Sequence, residues 1–90
     1  MNTQLMIPQE REQLHSLIRE KLECAEEIED TTLVRELPGV DSMKLLRLLG
    51  AVELGFQVNL GFEAIPQVQT VRDIEHLICD SRERYASRAS

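Results

Sequence analysis

Apolar residues recur with the period of an α-helix in three stretches of this chain, and the segments between them are acidic, polar or broken by proline and glycine. In the first stretch Leu14, Leu17, Ile18 and Leu22 form one stripe, with Glu10, Arg11, Glu20 and Lys21 mostly outside it. Pro8 is tolerated in a first helical turn, so this pattern predicts a helix from about Pro8 to about Cys24. The second and richest stretch runs from about Ser42 to Leu54. At about 100° per residue, Leu45, Leu48, Leu49, Val52 and Phe56 share the side expected to face the core. Met43, Lys44, Arg47, Gly50, Ala51 and Leu54 share the other side, and Gly55 stands where a left-handed cap would close the helix. In the last stretch Thr70 and Asp73 match a capping box with Asp in place of Glu, ahead of a buried stripe of Val71, Ile74, Leu77 and Ile78.

The connections carry their own pattern. Between Ala25 and Val40 the acids Glu26, Glu27, Glu29 and Asp30 are punctuated by Ile28, Leu33 and Leu37, and the segment closes on Pro38-Gly39. A free linker has no reason to carry spaced apolar residues, so this long loop is expected to be pinned on the core. In residues 61–69, Phe62, Ile65 and Val68 repeat every third position while Pro66 limits any helix to about a turn, which predicts a short third helix. From Asp80 to Ser90 the residues are small, polar and partly basic, and a frayed tail is expected. The organisation expected is an all-α domain of four helices over residues 8–79, an N-terminal extension over 1–7 and a flexible tail over 80–90.

Composition narrows the function classes. Ninety residues fill three or four short helices around a modest core and leave little room for a deep cleft, which disfavours catalysis by the chain alone. Aromatic residues are 3% of the chain, so the core is aliphatic and suits packed helices better than a β-sandwich. A net charge of -6 repels a polyphosphate backbone and argues against a nucleic-acid partner. Cys24 and Cys79 are too few and too far apart in sequence for a disulfide framework and leave room for a single bridge at most, no segment is long enough to cross a bilayer, and residues 1–7 lack a leader pattern. A monomer in a reducing cytoplasm, with no membrane partner, is the expected setting.

Few residues offer chemistry. His76 and Cys79, three apart on the last helix, are two ligands without a third, and neither they nor His15 and Cys24 support a metal centre or a catalytic pair. Ser42 is different. In the run Gly39-Val40-Asp41-Ser42-Met43 a loop turns into the amphipathic second helix, where unpaired N–H groups and the positive end of the helix dipole favour an attached phosphate. The competing explanation is an ordinary helix cap, since both Asp and Ser satisfy such N–H groups.

Together, these residues resemble the acyl and peptidyl carrier protein family, in which a serine in an Asp-Ser-Leu motif carries a 4'-phosphopantetheine arm; here the motif reads Asp41-Ser42-Met43. Leu33 and Leu37 stand where carriers keep two apolar anchors. Val52-Glu53-Leu54-Gly55-Phe56 is similar to the family's end of its second helix, and Thr70-Val71-Arg72-Asp73-Ile74 to the start of its last. The resemblance covers the chain from the first helix to about Ile78. Two positions depart from the pattern: Pro38 adds a residue before Gly39, and Lys44 and Arg47 stand where carriers of fatty-acid synthesis usually place acids.

The resemblance implies a small four-helix bundle of the carrier type with a long loop between its first two helices. It implies a covalent 4'-phosphopantetheine on Ser42, and Asp41 positioning the hydroxyl or the magnesium used by the modifying transferase. Expected partners are a phosphopantetheinyl transferase, an acyl- or aminoacyl-loading enzyme, and downstream synthase or tailoring enzymes. They would dock on the face formed by Met43, Lys44, Arg47, Gly50, Ala51 and Leu54. The implied function is that of a discrete, non-catalytic carrier of thioester-bound intermediates, with the basic pair favouring a polyketide or nonribosomal peptide pathway. The alternative is an unmodified helical interaction module that binds partners through the same face.

Overall fold

The computed structural model describes residues 6–89, with side chains placed at 6–61 and 63–84. It contains three α-helices, α1 (Pro8–Lys21), α2 (Ser42–Phe56) and α3 (Val71–Ala89), and two 3-10 segments, Val34–Glu36 and Phe62–Gln67. Among the described residues there is no strand, only an isolated antiparallel bridge between Leu33 and Thr70.

The short third helix expected in residues 61–69 takes the form of a 3-10 segment, so the described residues contain three α-helices. Pro66 is the reason: it has no N–H to donate, and its ring blocks the carbonyl four residues back. Tighter turns, with Ala64 N–H donating to Gly61 O at 3.3 Å and Val68 N–H to Ile65 O at 3.2 Å, need nothing from it.

The three periodic stripes meet in one core. Leu14, Ile18 and Leu22 from the first, the five α2 residues Leu45, Leu48, Leu49, Val52 and Phe56, and Val71, Ile74 and Ile78 from α3 are all buried. Leu17 and Leu77 pack at its edge. α2 packs against α1 and against the second 3-10 segment. Its end lies beyond the expected Gly55: the helix continues through Phe56, which turns that ring into the core, and Gln57 takes the left-handed conformation at φ 56°. Glu53 holds the exit, its carboxylate accepting the N–H groups of Leu60 at 2.8 Å and Gly61 at 3.1 Å.

The long loop is pinned, as expected, but by partly different residues. Ile28 is buried and Leu37 packs against the core, whereas Leu33 is 45% exposed and its neighbour Val34 is the fully buried anchor. The bridge explains the exchange. Val34 N–H donates to Gln69 O at 2.9 Å, which fixes the chain so that Val34 points inward and Leu33 outward. Thr32 O and Asp30 O then accept the N–H groups of Val71 and Arg72, two donors that a helix start would otherwise leave unpaired. Arg35 reaches back to the carbonyls of Val68 and Ile65.

Both proposed termini of the domain shift. Met6, assigned to the extension, is buried in the core, while residues 1–5 and 90 lie outside the described residues. α3 runs on to Ala89 where a frayed tail was expected. Ser81 is buried and its hydroxyl bonds the Asn59 backbone, accepting the N–H at 3.1 Å. Arg82 clamps both carboxylate oxygens of Glu10, at 3.1 and 2.6 Å, with its guanidinium 6.0 Å from the Phe56 ring centre. Those contacts tie the extension of α3 to α1 and α2, which composition alone does not reveal.

The capping box at α3 forms as expected. Asp73 N–H donates to Thr70 Oγ1 at 3.2 Å, and the Asp73 carboxylate accepts the N–H groups of Thr70 at 3.0 Å and Gln69 at 2.9 Å. The Thr70 amide, then the Gln69 amide, hold this carboxyl below its ordinary 3.8. Because its folded pKa is depressed, the cap stabilises above 3.8 and that stability is lost as pH falls through the folded-state value. Asp73→Ala is expected to lower stability by about 1 kcal/mol near neutral pH. Urea denaturation should show the deficit fading below pH 3.8, and a deficit that ignores pH would count against the charged cap.

Candidate functional site

The approach to α2 is built by local chemistry. Pro38 sets the first corner of a turn and Gly39, at φ 79°, supplies the left-handed second corner; Val40 N–H closes it on Leu37 O at 3.2 Å. Asp41 follows in extended conformation. Its carboxylate accepts Lys44 N–H at 2.9 Å and its carbonyl accepts Leu45 N–H at 3.1 Å. Asp41 is thus the helix cap, and Ser42 is the first helical residue, exposed to solvent. The Ser42 hydroxyl is free of the capping duty that offered the simplest alternative account of it.

The polar side of α2 is less uniform than its periodicity implies. Met43 is 55% and Leu54 84% exposed, and Arg47 is exposed. Gly50 and Ala51 are half-buried. Lys44 turns away from Arg47: its ammonium lies 3.5 Å from a Glu23 carboxylate oxygen at the end of α1, and its side chain is largely covered. The basic pair is therefore divided, with Arg47 alone presented outward. Leu46, which the helical pattern assigned to neither side, lines a groove of about 490 Å³ with Leu49, Gly50, Glu53, Asn59 and Gly61. The missed signal was that Leu46 stands one turn after Met43 and one turn before Gly50.

A Cβ built on Gly50 would meet nothing within 4 Å, so the fold itself does not require glycine there. Gly50→Ala should therefore stabilise the domain by about 1 kcal/mol, the usual helical preference of Ala over Gly. Chemical denaturation checks this, and a destabilised variant would reveal a crowding that the structure lacks.

The remaining candidates divide. His76 is exposed and Cys79 half-buried, with burial pushing the Cys79 thiol up and making it a poorer nucleophile. Cys24 and Cys79 are both free thiols. His15 is brought beside two acids from distant parts of the chain, Asp30 and Glu75, with one donor atom from each lying within 4.8 Å of the others. Burial, then the adjacent Asp30 carboxyl, push Glu75 up to about 7, while the interaction with Glu75 chiefly holds Asp30 below its ordinary range. The one sequence signal for this cluster is Glu75 itself, an acid placed four after Val71 and three before Ile78 on the buried side of α3.

Comparison with known families gives a match over most of the chain. The profile of the family described as "Phosphopantetheine attachment site" covers residues 12–78, from within α1, across the Asp41-Ser42 turn and α2, to Ile78 on α3. A comparison with curated proteins found no match. Domains of this family are the site of covalent 4'-phosphopantetheine attachment, and they work with phosphopantetheinyl transferases and synthase enzymes. Among the described residues no helix is long and apolar enough to cross a membrane. With the profile spanning most of the sequence and reaching into all three α-helices, the chain belongs to the phosphopantetheine-attachment family of carrier domains.

Proposed function

We propose that Ser42 is the residue that takes the arm, and that the domain carries acyl or aminoacyl intermediates between enzymes of a polyketide or nonribosomal peptide pathway. The observation that supports this most directly is the division of labour at the start of α2, where Asp41 caps the helix and leaves the Ser42 hydroxyl exposed and unused. The residues fit such a group. A phosphodiester on the first residue of a fifteen-residue helix meets the amide N–H groups and positive dipole end that favour an anion. No acid in the first turn of α2 opposes it.

When attached, the arm supplies a terminal thiol on which intermediates are held as thioesters. The chain's own residues supply address and position. Met43, Arg47 and Leu54 form the outward part of the docking face, Gly50 and Ala51 keep its middle low, and Lys44 secures the loop at the edge. Tethering makes each encounter inside a docked complex intramolecular, so docking itself can stay weak enough to release. The absence of acids from the first turn, together with exposed Arg47, supports partners other than those of fatty-acid synthesis.

Intact-mass measurement tests the assignment. Incubation with coenzyme A and a broad-specificity phosphopantetheinyl transferase should add one phosphopantetheine to the chain. Folded protein that gains no mass would overturn the reading and leave the interaction module in its place. Charging of the loaded arm by an adenylation enzyme rather than an acyltransferase distinguishes aminoacyl from acyl cargo.

A further inference from the structure

We propose that His15, Asp30 and Glu75 form a binding site for a divalent transition-metal ion, with Zn2+ the best match to the donor set. The three residues come from separate elements, α1, the long loop and α3, and lie away from the start of α2 that the proposed function uses. One ligand atom from each lies within 4.8 Å of the other two.

Two of these atoms lack the partners that burial normally demands. Glu75 is only 6% exposed, yet its Oε2 has no hydrogen-bond partner among the described residues. His15 Nε2 is likewise buried and makes no hydrogen bond, although it lies within ion-pairing distance of Asp30 Oδ1 at 3.4 Å. Arg11 approaches the other Glu75 oxygen, Oε1, at 3.6 Å and so engages that side of the carboxylate. Two buried donor atoms beside the Asp30 carboxylate, to which Glu75 is hydrogen-bonded only when it carries a proton, are an arrangement a cation would complete in that proton's place.

Geometry and donor chemistry select the ion. Zinc bonds of about 2.0–2.2 Å at tetrahedral angles place donor atoms roughly 3.3–3.6 Å apart. The His15 to Asp30 separation of 3.4 Å already falls there, and small side-chain rotations close the rest. One imidazole with two carboxylates suits a borderline ion better than Mg2+ or Ca2+, which prefer all-oxygen shells. The His15 and Asp30 side chains are 24% and 28% exposed, which leaves the cluster close to solvent on that side. A bound ion joins the three elements at one point, on the flank where Asp30 O also accepts the Arg72 N–H.

The test uses the full chain carrying Ser42→Ala, so that no pantetheine thiol competes. Calorimetric titration with Zn2+ at about pH 8, where ligands shed their protons more readily, should give one ion per chain and a thermal midpoint that rises with free Zn2+. His15→Gln and Glu75→Gln should each weaken binding by roughly 10–100-fold or more. Circular dichroism verifies that both variants keep their helices, and Arg11→Gln, which removes the orienting contact together with a positive charge that opposes a cation, should change binding less than either. Co2+ in place of Zn2+ should give visible absorption typical of nitrogen and oxygen donors. No uptake by the parent at millimolar Zn2+, affinity unchanged in both ligand variants, or a Co2+-thiolate band assigning the ion to Cys24 or Cys79 would each overturn the proposal.

Discussion

Ser42→Ala is expected to gain no phosphopantetheine from coenzyme A and a competent transferase, while unfolding within about 0.5 kcal/mol of the parent. The two halves of this expectation rest on one geometric fact. Lys44 N–H donates to the Asp41 carboxylate, so the Ser42 hydroxyl can be removed without exposing an unpaired amide. Asp41→Ala makes the complementary cut. It removes the acceptor and should cost about 1 kcal/mol, as loss of a helix cap generally does, whether or not an arm is attached. Intact mass and urea denaturation on the two variants and the parent provide the readout. A Ser42→Ala chain that still gains the arm would move the attachment to another hydroxyl, and one that unfolds would return Ser42 to a structural role.

The separation of cap from hydroxyl also marks a boundary of what the sequence discloses. That Asp41 and Ser42 stand at a helix start is legible from the stripe of Leu45, Leu48, Leu49, Val52 and Phe56, because a buried face of that width fixes where the helix lies. Which of two adjacent capping residues takes the cap is not, since both side chains can accept the same N–H. It is decided by the extended Asp41 backbone that follows the Pro38-Gly39 turn. The same distinction recurs through the fold. Periodic burial within a helix was readable, while contacts between elements far apart in sequence were not.

Leu33 and Val34 show this most directly. Both are apolar, and only the backbone pairing of Val34 with Gln69 decides which one turns inward. Gly55 failed as a helix end because the hydrophobic pull of Phe56 and the Glu53 bonds to Leu60 and Gly61 carry the chain past it. The polar composition after Ile78 concealed a helix because its anchors, Ser81 and Arg82, find partners at Asn59 and Glu10. The cluster of His15, Asp30 and Glu75 is not legible in the sequence for the same reason, as no local spacing connects α1, a loop and α3.

Leu48→Ala and Leu54→Ala remove the same atoms from opposite faces of α2, and their effects should differ in size and in kind. Leu48 is fully buried at 0% exposure, so its truncation loses transfer energy and leaves a cavity, for an expected loss of about 2–5 kcal/mol. A domain of this size has roughly 5–13 kcal/mol in all, which makes that loss a large fraction of the total. Leu54 is 84% exposed, and its truncation should leave stability within about 0.5 kcal/mol. Its effect should appear in function instead: if the outward face of α2 docks partner enzymes, Leu54→Ala slows arm transfer at limiting enzyme concentration, with the slowing relieved as the enzyme approaches saturation. Thermal or urea unfolding together with loading kinetics separates the two roles. A Leu54 variant that loads like the parent with every partner would remove Leu54 from the docking face, and a stable Leu48 variant would contradict the packing of α2 against the core.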